Sequence, residues 1–285
     1  MDGPHKKKEN NSPLSYRLRG YRLTSGAGGL KQMHVRVQES DLHIQADRDV
    51  SRRAYELVEQ ARAHLLAYAG KQPDFFSALS PLPCDDSAPE FIQRMQKAAR
   101  LIGVGPMAAV AGALAEYVGR QLLEEGVREI VVENGGDIFL YRPTVSRVAI
   151  FAGTSSLSHR VGIEVPGGRH TGVCTSSGTV GHSLSMGDAD AVTVVADCTS
   201  LADAAATRLG NEPLSMVLDE RIQIFTPVLE FRHICSVQYV VFEDGVHGAL
   251  GRGRVFRGGA GPQSVLQSHA FEEIACRLVP GGKAV

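Results

Sequence analysis

The first part of the chain alternates apolar and polar residues, which is the pattern of half-buried strands. Tyr16–Leu23 and Met33–Val37 are predicted strands, and the GAGG sequence at residues 26–29 predicts the turn between them. Leu42 and Ile44 continue the alternation into a further strand. The N-terminal region is therefore expected to begin a sheet with one buried face.

The next segment changes to helical spacing. Val50–Tyr68 is a predicted amphipathic helix, and Pro89–Leu101 is a second. The apolar face of the first helix comprises Ala54, Leu57, Val58, Ala61, Leu65 and Leu66. Residues 71–88 contain prolines and no clear period, which predicts a long loop. After GVGP, the Ala-rich segment Met107–Glu125 predicts a third helix whose small residues pack closely on the sheet.

The second half of the chain returns mostly to short strands. The predicted strands are Ile130–Val132, Ile138–Tyr141, Val148–Phe151, Val161–Val165, Ala191–Ala196, Ser236–Phe242 and Arg254–Phe256. Leu201–Leu209 and Phe271–Leu278 are predicted helices. Hairpins mixed with helices favour an α+β fold over a doubly wound parallel sheet. We expect one domain over residues 14–250, a disordered tail before it at residues 1–13, and a C-terminal extension at residues 251–285.

Composition excludes several functional classes. The chain has 285 residues, of which 30 are basic and 31 acidic, so its charge balance indicates neither a nucleic-acid partner nor a membrane partner. Its five cysteines form no CxxC pair, which argues against a disulfide framework and a zinc ribbon. The N-terminus has no apolar segment typical of a secretory signal. These features predict a cytoplasmic protein with free thiols.

The stretch from Thr171 to Asn211 is rich in Gly, Ser, Thr and Asp, which suits an oxygen-rich ligand or a hard cation. Asp203 and Thr207 are four residues apart in a predicted helix, so both lie on one face. A carboxylate and a hydroxyl there can bind Mg²⁺. The alternative is that Ser200 and Asp203 form a capping box, and the local spacing alone favours this alternative.

Other polar residues of this stretch predict ligand contacts. Hydroxyls and a glycine at Thr175, Ser176, Ser177 and Gly178 are expected to form a turn around a phosphate or a base edge, although turn chemistry explains them equally well. His182 is a candidate hydrogen-bond donor or an ordinary loop histidine. Asp188 and Asp190 are either turn residues or supports for Asp203, and Cys174 is expected to be a buried small residue.

Two glycine segments lie elsewhere in the sequence. Gly103 and Gly105 precede a helix that is predicted to begin near Pro106, where backbone N–H groups can receive a phosphate. A simple helix break is the alternative. Asn-Gly-Gly-Asp predicts a hairpin turn, in which Gly135 and Gly136 also let a ligand approach the backbone beside Asp137.

Taken in order, these motifs resemble the ApbE family of FAD:protein FMN transferases. The pieces are a Gly-rich helix start, GGD, TSSG, a VTVVA strand and ADAAAT. The resemblance is strongest to a short ApbE-like branch and covers roughly residues 35–250. It implies a T-fold-like α+β architecture with sheets backed by helices. It also implies Mg²⁺ at Asp203 and Thr207, and FAD or FMN at Gly103, Gly105 and the turn from Gly135 to Asp137.

Two departures from the family pattern leave the activity open. GPMAAVAG replaces an element that carries a lysine in the family, and HSLSMGDAD replaces the His-Ile-x-Asp-Pro segment. The leading interpretation is a protein that binds a flavin or related nucleotide, with Mg²⁺-dependent FMN transfer or pyrophosphate cleavage. The alternatives are a non-catalytic binding module and an enzyme for a pterin-like or purine-like ring. Because T-folds often assemble, a homo-oligomer is expected by analogy.

Overall fold

The computed structural model describes residues 28–153, 158–159, 161–177, 190–211, 234–240, 247–251 and 254–257. Four predictions lie outside these residues. They concern the tail at residues 1–13, the strand Tyr16–Leu23, the segment that contains Gly178, His182 and Asp188, and the helix Phe271–Leu278.

A main antiparallel sheet contains eight of the strands in the described residues. In spatial order they are β1 (Lys31–Val37), β2 (Ser40–Ala46), β3 (Ile130–Asn134), β4 (Asp137–Tyr141), β7 (Thr171–Ser176), β8 (Ala191–Ala196), β9 (Ile234–Val240) and β10 (His247–Gly251). A smaller antiparallel sheet has the order β11 (Arg254–Arg257), β6 (Val161–Val165) and β5 (Ser146–Ala149). The neighbouring strands in both sheets are antiparallel, as the hairpin pattern predicts.

The helices of the described chain are α1 (Ser51–Lys71), α2 (Glu90–Ile102), α3 (Val110–Glu124) and α4 (Thr199–Gly210). Short 3₁₀ turns cover Pro73–Phe75 and Pro106–Ala109. The periodicity placed all four helices correctly. The predicted apolar face of α1 is wrong at one residue, because Leu66 is 59% exposed. The helix after GVGP begins with a 3₁₀ turn, since Pro106 fixes its own φ and offers no N–H.

Two hydrophobic cores lie on opposite faces of the main sheet. The larger core combines the helices with inward side chains such as Phe139 and Cys174. The smaller core contains Leu140, which follows Phe139 in the sequence, and Val173, which precedes Cys174. It also contains residues of the smaller sheet. Successive strand residues point to opposite faces, so β4, β7 and β8 each supply residues to both cores. The α+β architecture of sheets backed by helices is confirmed.

The hairpin predicted at Asn-Gly-Gly-Asp is present between β3 and β4, and its two-residue turn is Gly135-Gly136. Gly135 and Gly136 have φ angles of 71° and 110°, which side chains rarely adopt. The turn pairs Asn134 with Asp137 across the hairpin. Strand β4 then pairs with β7 in a register that sets Asp137 opposite Cys174. The hairpin therefore places a carboxylate at the start of β4, one of the central strands of the main sheet.

Within the described residues, no single helix is both long and apolar enough to cross a membrane. α2 and the helical segment Pro106–Glu124 reach that length and apolar content only when taken together, and the chain bends by 108° between them.

The packing of α3 on β4 yields a stability prediction. A Cβ at Gly119 would lie 2.1 Å from the ring of buried Phe139, whereas a Cβ at Gly70 in α1 would meet nothing within 4 Å. We expect Gly119→Ala to lower the free energy of unfolding by about 1–3 kcal/mol because the ring must shift. The matched change Gly70→Ala should leave stability unchanged or raise it by up to about 1 kcal/mol. Urea denaturation of both variants checks this, and equal midpoints would contradict the packing described.

Candidate functional site

Helix α4 begins without the predicted capping box. Its N-cap is Cys198, which makes no side-chain capping bond, and Asp203 is the fifth residue of the helix rather than the third. The carboxylate of Asp203 turns away from its own helix end and accepts a hydrogen bond from the backbone N–H of Gly112 at 2.8 Å. The capping-box alternative is therefore wrong, because α4 begins two residues too early for it.

Asp203 instead meets the start of α3. Gly112 is the third residue of that helix, and the N–H of Ala111 beside it also bonds the carboxylate. Burial raises the pKa of Asp203 to about 7, although the two backbone hydrogen bonds act in the opposite direction. Among the described residues, no basic side chain forms an ion pair with Asp203. The carboxylate is thus held in place by N–H groups while its charge is not neutralised.

A second buried carboxylate lies beside the first. Burial raises the pKa of Asp137 well above its ordinary value, and the charge of Asp203 raises it further. The thiol of Cys174 bonds Asp137 and lies 3.4 Å from the carbonyl oxygen of Thr199. Burial also raises the pKa of that thiol. We call Asp137, Cys174 and Asp203 the acidic cluster.

The acidic cluster has an electrostatic consequence. Two carboxylates that interact in a buried site cannot both be ionised without cost. Either one of them keeps a proton, or a cation enters and offsets their charge.

The prediction that Cys174 is a buried small residue is confirmed, since it is fully buried within the larger core.

Thr207 faces the same segment as Asp203. Its hydroxyl donates a long hydrogen bond, 3.4 Å, to the carbonyl oxygen of Ala108. Both α4 side chains thus point towards residues 108–112, as their spacing predicts. The described residues contain no group of three or more His, Cys, Asp and Glu side chains that could hold a metal ion. A cation here would take hydroxyl and carbonyl oxygens together with carboxylate oxygens, a ligand set that suits Mg²⁺.

The glycines before α3 are explained by close packing. Gly103 ends α2 with a φ of 84°, and a Cβ there would lie 2.9 Å from the guanidinium of Arg208. That guanidinium donates to the carbonyl of Ile102 at 2.7 Å. A Cβ at Gly105 would lie 1.7 Å from the carbonyl oxygen of Ala78, so the loop covers this side of the glycine. The helix-break alternative accounts for both positions, and their contact with a nucleotide stays a prediction.

The glycine turn before Asp137 is joined to β7. The N–H of Gly136 donates to the Glu133 carboxylate at 2.9 Å, and its carbonyl accepts from the N–H of Thr175 at 3.3 Å. The hairpin requirement therefore accounts for Gly135 and Gly136. Contact of this turn with a flavin stays a prediction, whereas the structure brings Asp137 to the acidic cluster.

The predicted turn at TSSG is only partly correct. Thr175 and Ser176 are the last residues of β7, and Ser177 follows the strand. The hydroxyl of Thr175 bonds that of Thr193 on β8 at 2.9 Å. Ser176 packs against Gly210 at the end of α4. Strand pairing extends further than expected because Thr is readily accommodated in a strand.

Sequence reasoning missed Glu116, which connects three helices. Its buried carboxylate bonds the N-terminus of α4 and pairs with Arg94 and Arg120. One signal was available, because Glu116 is the only charged residue in the otherwise apolar run at positions 107–119. Acidic residues are almost never buried unless they are paired. An isolated acid on that helix therefore indicated a buried partner.

Comparisons with known proteins place this chain in a family. A family model described as "AbpE bacteria" matches residues 22–221. The chain belongs to this family. Membership confirms the ApbE-like resemblance that the order of its motifs indicates.

Two of the sequence relatives are archaeal proteins. The UPF0280 protein of Methanosarcina barkeri is 42% identical over 184 residues, which cover 64% of this chain and 70% of the relative. The UPF0280 protein of Methanococcus aeolicus is 38% identical over 181 residues, covering 62% and 73% respectively. Among solved structures, the apo form of the flavinyl transferase ApbE of Pseudomonas stutzeri aligns with a TM-score of 0.48 and 15% identity, over 79% of this chain and 94% of that chain. The family assignment therefore rests on the family model and the sequence relatives.

The raised pKa of Asp203 predicts how stability depends on pH. Its folded pKa of about 7 lies above the ordinary value of 3.8, so the folded state binds this proton more tightly than the unfolded state. The protonated Asp203 therefore stabilises the folded state. This contribution is complete below about pH 4 and is lost as the pH rises to about 7. In a metal-free buffer with chelator, the free energy of unfolding of the wild type relative to Asp203→Asn should fall over this range. The fall should be on the order of a few kcal/mol.

Denaturant titrations at several pH values measure this difference. The exposed Asp74 supplies the control, because Asp74→Asn removes a carboxylate on the surface. A difference between wild type and Asp203→Asn that stays flat or increases with pH would contradict the environment described for Asp203.

Proposed function

We propose that this chain binds a nucleotide that contains a pyrophosphate, in the first place FAD, together with Mg²⁺ at Asp203 and Thr207. The acidic cluster carries the proposal. Asp137 and Asp203 are buried and interact electrostatically, and no basic partner for either occurs in the described part of the chain. A divalent cation offsets these charges, and Mg²⁺ is commonly bound by one or two carboxylates plus the phosphates of a substrate.

The residues that are present fit such a cation. A carboxylate offers about four lone-pair sites, so the N–H groups of Ala111 and Gly112 leave Asp203 with capacity for a metal. Thr207 contributes a hydroxyl, and Ala108 contributes the carbonyl that now accepts its hydrogen bond. When bound, Mg²⁺ would neutralise the pyrophosphate and stabilise the leaving phosphate. The chain's own contribution is to fix these oxygens on two packed helices.

Membership of the ApbE-like family supports a flavin as the organic part of the ligand. In the transfer that the resemblance implies, a Ser or Thr hydroxyl oxygen of an acceptor protein bonds to the phosphorus of the FMN half. The P–O bond to AMP breaks, and the hydroxyl proton passes to a base. In pyrophosphate cleavage, water takes the place of the hydroxyl and the products are FMN and AMP.

Binding without turnover is the second candidate function. The observation that favours it is the composition of the α3 start, where GPMAAVAG has no basic side chain to contact a phosphate. The loop at Ala78 also covers one side of Gly105. A protein with these features can hold a nucleotide through Mg²⁺ and backbone groups without transferring it.

Isothermal titration with FAD, with and without Mg²⁺, tests the binding proposal. We expect FAD binding that weakens at least tenfold when Mg²⁺ is removed. Thr207→Val should reduce the Mg²⁺ dependence, because it removes a ligand oxygen and disturbs only a long hydrogen bond. Thr193→Val, which removes a hydroxyl of β8 bonded to Thr175, is the matched control and should bind like the wild type. Absence of FAD binding to the wild type would contradict the proposal, as would binding that is indifferent to Mg²⁺.

The two candidate functions differ in their products. Incubation with FAD and Mg²⁺, followed by chromatography of the nucleotides, should release AMP in the wild type and none in Asp203→Asn if the chain is an enzyme. Tight FAD binding with no AMP, with or without added acceptor proteins, would support the non-catalytic module.

A further inference from the structure

Glu116 is the most extensively bonded carboxylate among the described residues. It lies in the middle of α3 and is fully buried. One carboxylate oxygen accepts from the N–H groups of Thr199 and Ser200 at 2.9 Å and 3.2 Å, and from the Ser200 hydroxyl at 3.2 Å. The other oxygen pairs with Arg94 at 3.1 Å and Arg120 at 2.8 Å. Thr199 and Ser200 are the first two residues of α4, so Glu116 caps this helix from a neighbouring one.

The Glu116 carboxyl is ionised at neutral pH. Burial by itself raises the pKa of the carboxyl, but the charges of Arg94 and Arg120, with the hydrogen bonds, hold it below its ordinary value. A negative charge at a helix N-terminus also interacts favourably with the helix dipole. The start of α4 is therefore fixed by an anion that the protein itself neutralises.

Helices α3 and α4 cap each other. Glu116 of α3 binds the N-terminus of α4, and Asp203 of α4 binds the N–H of Gly112 at the start of α3. The two caps differ in charge balance, because two arginines neutralise Glu116, whereas no basic side chain in the described residues pairs with Asp203. Of these two carboxylates, only that of Asp203 has a negative charge that a bound cation could offset.

We propose that Glu116 is a positioning residue for the cation site, and this inference rests on the proposed function. α4 carries both candidate ligands, Asp203 and Thr207, one turn apart. A cation on Asp203 binds the same carboxylate that caps α3, so this carboxylate then serves two partners. Glu116 holds α4 against α3 by separate bonds, and the ligand oxygens stay in register while Asp203 binds metal.

Two variants separate the contributions of Glu116. In Glu116→Gln the amide oxygen can still accept from Thr199 and Ser200, but the ion pairs with the arginines are lost. In Glu116→Leu the buried N–H groups of α4 also lose their acceptor. Leu57→Ala is the control for lost stability alone, because it leaves a cavity at a fully buried position of α1.

The measurement is the Kd for Mg²⁺ alone, by isothermal titration of the full chain at a temperature where circular dichroism shows every variant folded. We expect Glu116→Gln to raise the Kd about three- to tenfold and Glu116→Leu to raise it further, while Leu57→Ala leaves it unchanged. Glu116→Gln keeps the test decisive if Glu116→Leu does not fold.

Different failures are distinguishable. If the wild type binds no Mg²⁺, the proposed function fails at the metal site. If the wild type binds Mg²⁺ and Glu116→Gln has the same Kd, the positioning role fails while the metal site stands. An equal rise in Kd for Glu116→Gln and Leu57→Ala would also overturn the positioning role, because general destabilisation would then explain it.

Discussion

The contact between α3 and α4 depends on two buried carboxylates, each placed at the N-terminus of the other helix. Glu116 bonds the first residues of α4, and Asp203 bonds the third residue of α3. Substituting a capping side chain typically costs about 0.5–2 kcal/mol, and losing the acceptor for a buried N–H costs a similar amount. The caps require the two helices to approach closely, since a Cβ at Gly112 would lie 2.7 Å from the Cβ of Asp203. Small residues in α3 are therefore a condition of the capping.

The same arrangement concentrates negative charge where the sheet meets the helices. The β3–β4 hairpin places Asp137 opposite Cys174, and α4 places Asp203 near both. Proteins seldom bury acidic residues without a partner, because desolvation of a charge is costly. Functional sites are the usual exception, since perturbed carboxyl groups cluster there. The cost at Asp137 and Asp203 is what the proposed cation relieves.

Local sequence patterns predicted most elements and part of the site. The spacing of Asp203 and Thr207 was sufficient to place both on one face, and Asn-Gly was sufficient for the hairpin. Local patterns could not reveal contacts between distant parts of the chain. Glu116 bonds Thr199, which is 83 positions away, and the loop at Ala78 covers Gly105. The capping box failed for the same reason, because Asp203 finds its N–H partner on another helix.

We propose that the acidic cluster holds a cation and, through it, a pyrophosphate-containing nucleotide. The most direct measurement is mass spectrometry of the small molecule released when the protein is purified in Mg²⁺ and then denatured. We expect FAD or another nucleotide with a pyrophosphate group from the wild type, at a level much reduced in Asp203→Asn. A pterin or a purine without pyrophosphate, recovered equally from both proteins, would contradict it.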